Sequence, residues 1–333
     1  MIKELTSLRF VLILVIFFHH ALPSYPGGGD MGVACFFVLS GFCYALGYGY
    51  RVMSADFSYR AFIKKRLNKF YPLHWITLLI AIPLSLNAGL GWKNGAILGV
   101  NALLLQSWFP LSSVYYSFNG VSWFLSDMVF LVVLFPFLFR LLDRGTRRWL
   151  FILPIAVVYG LLCIFTPDDL RNTALYVNPL VRVCDFIVGM LSGMCYLRLK
   201  ENRSVEASVQ HYRVLLRAVS LLSFLMLLAM SILIPGQITL MAWIFWPAAA
   251  VMLISISLTP GGLLSTPMLQ HLGQVSFPFY MIHQLVIRYL YLLSDKANLS
   301  ISSFTTITLA LILSIALSFL IDRCFKRLNT AHK

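Results

Sequence analysis

Long apolar runs recur along the chain and are separated by short polar stretches. A helix needs about 20 largely apolar residues to cross a bilayer. The pattern predicts ten crossing helices, at 8–24, 32–50, 70–87, 121–140, 149–166, 179–198, 214–234, 240–258, 276–293 and 303–322. An eleventh apolar stretch, at 95–107, is short, and its length leaves open whether it crosses. The pattern indicates an all-α integral membrane protein.

The basic residues decide between the two topologies. If 95–107 does not cross, most of the 26 Lys and Arg residues fall on one side of the membrane, together with both termini. If it crosses, this asymmetry is lost. Because basic loops stay in the cytoplasm, we expect ten crossings, cytoplasmic termini, and a segment 95–107 that lies in or along the outer leaflet.

Composition fits a membrane domain. Of the 333 residues, 59% are hydrophobic and only 11% are charged, whereas a soluble domain has roughly a quarter of its residues charged. We expect a single domain over 1–333, with no appended soluble domain and a retained first helix. The net charge of +14 lies in tracts between apolar runs, which does not favour nucleic-acid binding. Without a CxxC pair, we expect no metal site.

Prolines interrupt five of the predicted spans, at Pro83, Pro136, Pro154, Pro247 and Pro278. A proline inside a helix kinks it and frees a backbone carbonyl. We therefore expect an irregular bundle around a central cavity, although ordinary helix packing would explain the prolines as well.

Ionisable residues inside apolar runs are costly and often functional. Arg9 and His20 are eleven residues apart, which places them on one helix face about 16 Å apart. We expect Arg9 near the cytoplasmic boundary, His20 near mid-membrane and His19 pointing elsewhere. An imidazole suits general-base work on a hydroxyl, although a structural hydrogen bond would also account for it.

Two further clusters follow the same logic. The basic run that contains Lys65, Arg66 and Lys69 could clamp phosphates of a nucleotide-bearing donor, or it could simply set topology beside anionic lipid. Asp127 could orient a histidine, or it could pair with a buried cation.

Two predicted spans carry paired polar groups. His283 and Arg288 share one span, where substrate contact and interhelical hydrogen bonding are both open. Arg182 and Asp185 are three residues apart and are expected to form a structural ion pair. A GxGxxG match at Gly27, Gly29 and Gly32 lies between two membrane helices, so we read it as a flexible outer loop rather than a dinucleotide site.

Five short elements, in this order, resemble acyltransferase family 3. They are residues 5–20 (an Arg-x10-His pattern), 32–42 (GVACFFVLSGF), 66–72 (RLNKFYP, with Lys69 in place of a second Arg), 276–284 (SFPFYMIHQ) and the pair Asp322-Arg323. One feature departs from the family. The family usually has a glutamate eight residues before a proline. Counting back eight residues from Pro136 gives Met128, and the nearby carboxylate, Asp127, is one position earlier.

The resemblance implies a bacterial inner-membrane enzyme that takes acetyl or a related acyl group from acyl-CoA. The acceptor would be a carbohydrate hydroxyl, often in an envelope polysaccharide precursor. As a hypothesis, we assign catalysis to His20 and Arg9, and to Asp127 if the family's carboxylate role has shifted to it. Donor binding is assigned to Arg66, Lys69 and Lys65, with acetyl-CoA as co-substrate and no metal. Trp123, His283, Tyr280 and Ser40 would contact substrate. The alternative is a multi-pass transporter or flippase for a small anionic or sugar-linked substrate.

Overall fold

The computed structural model describes residues 2–22, 28–85, 92–144, 149–234, 236–299 and 302–331. These residues form helices and short helical turns, and no strand occurs among them. The α-helices are α1 (Lys3–Ala21), α2 (Gly29–Met53), α3 (Tyr59–Ser85), α4 (Trp92–Ala102), α5 (Ser112–Tyr115), α6 (Trp123–Arg144), α7 (Trp149–Phe165), α8 (Pro179–Glu201), α9 (Arg203–His211), α10 (Arg213–Leu233), α11 (Gly236–Thr239), α12 (Trp246–Leu258), α13 (Pro267–Gln274), α14 (Ser276–Lys296) and α15 (Ser303–Ala331).

Six helical segments of the described chain are long and apolar enough to cross a membrane, and each covers one of the predicted spans. They are Lys3–Ala21, Gly29–Met53, Gly120–Asp143, Pro179–Glu201, Arg213–Leu233 and Ser303–Arg327. Two further predicted spans coincide with shorter apolar helices, Leu153–Phe165 and Ala242–Leu258. The remaining two lie in α3 and α14, which have 27 and 21 residues but are more polar. The count of ten crossings stays a prediction.

The first two helices run antiparallel, and this defines two ends of the bundle. Gly29 at the start of α2 lies against the His19 ring at the end of α1, and Gly32 lies against Ile16 one turn earlier. We call the end where α1 finishes and α2 starts the histidine end, and the opposite one the terminal end. Both glycines therefore belong to a helix, so the expectation of a flexible loop was wrong for them. Gly27 lies outside the described residues.

The segment 95–107 does not form a spanning helix. α4 has 11 residues, about 16 Å of helix, against a hydrocarbon thickness of about 30 Å. Its last carbonyls accept hydrogen bonds from α3. His74 Nε2 donates to Asn101 O (2.8 Å), Trp75 Nε1 to Ala102 O (2.9 Å) and Tyr71 Oη to Leu103 O (2.9 Å). A helix end can lie inside an apolar bundle only when its carbonyls are paired in this way.

The prolines interrupt fewer helices than expected. Pro247 and Pro278 lie in the first turns of α12 and α14, where a missing N–H breaks no helical hydrogen bond. Pro83, Pro136 and Pro154 do lie inside α3, α6 and α7.

Helices α2 and α8 pack with their backbones in close approach. A Cβ at Gly41 would collide with the backbone carbonyl of Phe186, and a Cβ at Gly189 would collide with that of Val38. Small residues are the usual means by which membrane helices come this close, because dispersion and backbone contacts replace the hydrophobic effect there.

We predict that Gly41→Ala destabilises the protein by about 1–3 kcal/mol, because a methyl group must enter a filled crossing. Gly47→Ala, on the same helix, is the matched control, since a Cβ there meets nothing within 4 Å. The control should be neutral or slightly stabilising. Thermal unfolding in detergent, followed by tryptophan fluorescence, measures both, and equal midpoints would contradict the prediction.

Candidate active site

The site is built around two histidines from distant parts of the chain. His20 Nδ1 lies 2.9 Å from His283 Nε2, and the two ring centroids are 5.1 Å apart with an interplanar angle of 29°. α1 ends at Ala21, so His20 lies in the last turn of its helix. Its expected depth near mid-membrane stays a prediction. His283 is fully buried and lies in the second turn of α14.

Parallel packing of α1 and α14 brings the histidines together. Close to the start of α1, Gly273 lies against the backbone of Thr6, where a Cβ would collide. Gly273 is in α13, three residues before α14 begins. Farther along, Phe279 packs edge-on against Phe10 and at a tilt against Phe17, each at 5.8 Å between centroids. Aromatic pairs favour such geometry. The contacts fix the axial register of the two helices, and the histidine pair follows from that register.

A cavity of about 370 Å³ opens beside the pair at the histidine end. Of the residues expected to act on substrate, His20, Trp123 and Tyr280 line it. His19 lines it too, so the expectation that this ring points elsewhere was wrong.

Polar residues that the sequence reasoning missed complete the wall. They are Asp30, Tyr116, Asn172 and Gln284. The Tyr116 hydroxyl donates to Asn172 Oδ1 at 3.1 Å. Gln284 Oε1 is buried and has no hydrogen-bond partner among the described residues. The wall therefore combines aromatic faces, three uncharged hydrogen-bonding groups and the Asp30 carboxylate, a pattern that suits a hydroxyl-bearing ligand.

The entry to α6 is tied to α14, and this positions Trp123. The Tyr280 hydroxyl donates to Val121 O (2.8 Å), and Asn119 Nδ2 donates to Met281 O (2.9 Å). Arg288 donates to Phe118 O at 2.6 Å. Each bond joins a side chain of one segment to a backbone carbonyl of the other. The role of Arg288 is thus interhelical.

Ser40 and Asp127 do not line this cavity, and His283 reaches it only through His20. Ser40 is half-buried on α2 and does not line it. Asp127 is fully buried, and neither of its carboxylate oxygens has a hydrogen-bond partner among the described residues. Ser107, Arg182 and Asp185 are the polar groups near enough to interact electrostatically with the Asp127 carboxyl, and no histidine is among them. A catalytic role for Asp127 stays a prediction without a contact to support it.

A buried ion pair contacts the outer side of the cavity wall through Tyr176. Arg182 Nη1 lies 2.6 Å from Asp185 Oδ2, with both side chains fully buried. Arg182 Nε also donates to Tyr176 O at 2.7 Å, and Trp246 Nε1 donates to Asp185. Tyr176 lines the cavity and packs against Trp123, with ring centroids 5.0 Å apart. The structural ion pair expected from the spacing is therefore present, and it holds the aromatic wall in place.

The basic residues of α3 gather at the terminal end. Arg66 is buried, with its guanidinium 4.2 Å from the centre of the Tyr48 ring and 5.4 Å from that of Phe62. Its Nε and Nη2 donate no hydrogen bond within the described chain. Arg66 and Lys65 line a second cavity of about 410 Å³, together with Arg51 and Asp56.

Arg9 and Lys69 lie near this second cavity. Both Arg9 and Arg66 are close enough to interact electrostatically with the Lys69 ammonium group and with the Tyr44 hydroxyl. Lys65 and Lys69 are exposed. The two cavities share no lining residue, and the single central cavity expected from the sequence stays a prediction.

Long apolar helices around a polar, histidine-lined cavity are features of a membrane-embedded enzyme. The family model of the acyltransferase domain matches residues 2–323, nearly the whole chain. The protein therefore belongs to acyltransferase family 3 and is an acyl-transferring enzyme. It is similar to the acyltransferase MdmB of Streptomyces mycarofaciens, with 27% identity in a match that covers 86% of this chain and 79% of that protein. No solved structure matches the chain significantly.

We predict that Asp185→Leu strongly destabilises the protein, by about 3–5 kcal/mol, because it leaves the Arg182 charge buried without a partner. Asp168→Asn is the matched control. It breaks an Asp–Arg pair of the same spacing whose aspartate is 68% exposed, and such surface pairs contribute about 0–1 kcal/mol.

Thermal unfolding of the two variants in detergent measures the difference. The double variant Arg182→Met/Asp185→Leu should recover much of the loss, since it removes both charges. A single Asp185→Leu variant as stable as the control would overturn this account of the pair.

Proposed function

We propose that the protein transfers an acyl group, most simply acetyl, from cytoplasmic acyl-CoA to a hydroxyl of a carbohydrate. The acceptor would be an envelope or exported polysaccharide, or its lipid-linked precursor. The observation that carries the proposal is the placement of His20, half-buried on the wall of a polar cavity and hydrogen-bonded through one ring nitrogen to His283. The other ring nitrogen is then available to a substrate.

In the proposed reaction, His20 removes the proton from the acceptor hydroxyl as its oxygen attacks the thioester carbonyl. A C–O bond forms and the C–S bond breaks. The proton held on the imidazole then passes to the departing CoA thiolate. General-base help of this kind typically contributes about 10²–10⁴ in rate.

The donor is assigned to the terminal end. Two nitrogens of Arg66, Nε and Nη2, have no hydrogen-bond partner within the described part of the chain, and aromatic rings hold the guanidinium in place. A planar guanidinium of this kind suits phosphate oxygens. Arg9, Lys65 and Lys69 add positive charge around it, and none of the three makes an ion pair within the described residues. A phosphate-bearing donor would supply the missing acceptors.

The acceptor is assigned to the histidine end. Trp123 and Tyr280 offer aromatic faces, and Tyr116, Asn172 and Gln284 offer hydrogen bonds to hydroxyl groups. Sugars present apolar ring faces and rows of hydroxyls, which is the complement of such a wall.

The proposed orientation in the membrane follows from the assignment of the donor to the terminal end and of the acceptor to the histidine end. We propose ten crossings in a bacterial inner membrane, with both termini and the terminal end in the cytoplasm. The crowding of Lys and Arg on that side supports this orientation. The donor end then faces the compartment that holds acyl-CoA, and the histidine end faces the opposite side.

We predict that His20→Ala lowers acyl transfer at least about 100-fold while the protein still folds and inserts. The assay uses membrane vesicles that contain the protein. Glycan and glycolipid fractions from the organism that encodes it are added as acceptors, and the label from [14C]acetyl-CoA that enters them is measured. His211→Ala is the control, because that histidine is exposed on α9, and it should keep full activity. Full activity in His20→Ala would end the assignment of His20.

We predict that Arg66→Ala raises the KM for acetyl-CoA about 10–100-fold, with a smaller effect on kcat, because a charge-assisted phosphate contact contributes about 1.5–3 kcal/mol. Lys64→Ala is the matched control, since Lys64 is an exposed basic residue on the same helix. It should change KM less than about twofold. Equal KM values for the two variants would remove Arg66 from the donor site.

A further inference from the structure

The hydrogen bonds of His283 determine which of its nitrogens carries the proton. Its Nδ1 lies 2.7 Å from Tyr280 O and 3.3 Å from Phe279 O, both in the preceding turn of α14. A carbonyl oxygen can only accept a hydrogen bond, so Nδ1 must be the donor. The proton of a neutral His283 is therefore on Nδ1, and Nε2 has a free lone pair.

The surroundings of His283 favour this neutral form. The residue is fully buried, its ring stacks on Phe279 at 5.9 Å with an interplanar angle of 8°, and Phe17 packs beside it. It makes no ion pair with an acidic residue of the described chain. A cationic imidazole here would be a buried charge without compensation, which is costly.

The state of His283 fixes the state of His20. Since His283 Nε2 has only a lone pair, the 2.9 Å contact with His20 Nδ1 requires the proton on His20 Nδ1. With the opposite tautomer, two lone pairs would face each other. The ring nitrogen of His20 that keeps its lone pair is then Nε2.

We propose that His283 is a positioning residue that holds the proton of His20 on Nδ1, so that Nε2 is the nitrogen that accepts the proton of the acceptor hydroxyl. This inference rests on the proposed function, because it assigns the basic atom within it. The relay runs from the Tyr280 carbonyl through His283 to His20. The group that orients the base His20 is therefore the neutral imidazole of His283. In many enzymes a carboxylate orients the catalytic base instead.

The relay also accounts for the protonated state of His20. When Nε2 takes a proton, Nδ1–H still donates to the His283 lone pair, so the new cation keeps its hydrogen bond without a proton having to move along the relay. His283 stays neutral throughout, and the positive charge lies on the histidine that lines the cavity.

The test compares three substitutions at His283. In His283→Gln, the side-chain oxygen can take the position of Nε2 and accept from His20 Nδ1–H. In His283→Asn, the side chain is one carbon shorter and cannot reach His20, while in His283→Leu there is no acceptor at all. We expect kcat to fall about 100-fold in the Leu and Asn variants and to recover to within about tenfold of wild type in Gln. The KM for acetyl-CoA should change less than about twofold, since the donor site is at the other end.

A spectroscopic measurement separates positioning from a loss of packing. The chain has 7 histidines, so 15N-histidine labelling in lipid nanodiscs gives a small set of ring signals, and His20→Ala identifies those of His20. We expect wild type and His283→Gln to show a protonated Nδ1 and a bare Nε2 at His20. We expect His283→Asn and His283→Leu to shift the proton to Nε2, the tautomer that imidazole prefers in water.

The outcomes distinguish this inference from the proposed function. A wild-type His20 protonated on Nε2, or His283→Asn and His283→Leu variants that keep both tautomer and rate, would overturn the relay while leaving the proposed function standing. If the tautomer shifts as expected but the wild-type protein transfers no label from acetyl-CoA to a glycan or glycolipid, the relay is upheld as a structural feature and the proposed function fails. His283→Gln and His283→Asn are similar in polarity, so their comparison still decides the matter if the Leu variant does not fold.

Discussion

The register between α1 and α14 is the constraint on which the site depends. A slip of one turn, about 5.4 Å, would separate His20 Nδ1 from His283 Nε2. The contacts that hold the register lie away from the histidines, at the Gly273–Thr6 backbone contact and the Phe10–Phe279–Phe17 cluster. These residues do no chemistry. By fixing the relative position of α1 and α14, they bring the two histidine rings within hydrogen-bond distance. A site of this kind tolerates little movement.

The apolar runs could place helices from the sequence because a bilayer imposes a minimum apolar length. The runs could not place the ends of those helices. The loop between α1 and α2 was expected to start after residue 24, but α1 ends at Ala21 and α2 already begins at Gly29. That shift of a few residues moves His20 from one turn before the predicted helix end into the last turn. Helix ends depend on which neighbouring groups pair the terminal carbonyls, as α3 does for α4, and such pairings arise only in the folded chain.

The site was predictable where a single residue stood out from its surroundings. Arg9 and His20 are conspicuous in an apolar run, and Trp123, Tyr280 and His283 lie in short patterns shared with acyltransferase family 3. Uncharged polar residues give no such signal. Tyr116, Asn172 and Gln284 come from segments far apart in sequence and line the same wall only because α6 and α14 are tied together. For Asp127 two roles were open, orienting a histidine or pairing with a buried cation. Its carboxylate has no hydrogen-bond partner among the described residues, and the hydrogen bond to His20 comes from His283.

The two cavities give α1 a particular place in the proposed mechanism. Its first half contributes Arg9 beside the basic residues of α3, and its last turn contributes His20 beside His283. The eleven residues between them correspond to about 16 Å of helix, with Ile13, Ile16 and Phe17 buried between the two ends. A charged phosphate group gains nothing by entering such a stretch, whereas an uncharged thioester arm can enter it at little cost. Donor phosphates held at one end and a base held at the other would therefore allow only the neutral, reactive part of the donor to travel toward the acceptor. The separation of the cavities thus favours acyl transfer over passage of the whole donor through the bundle.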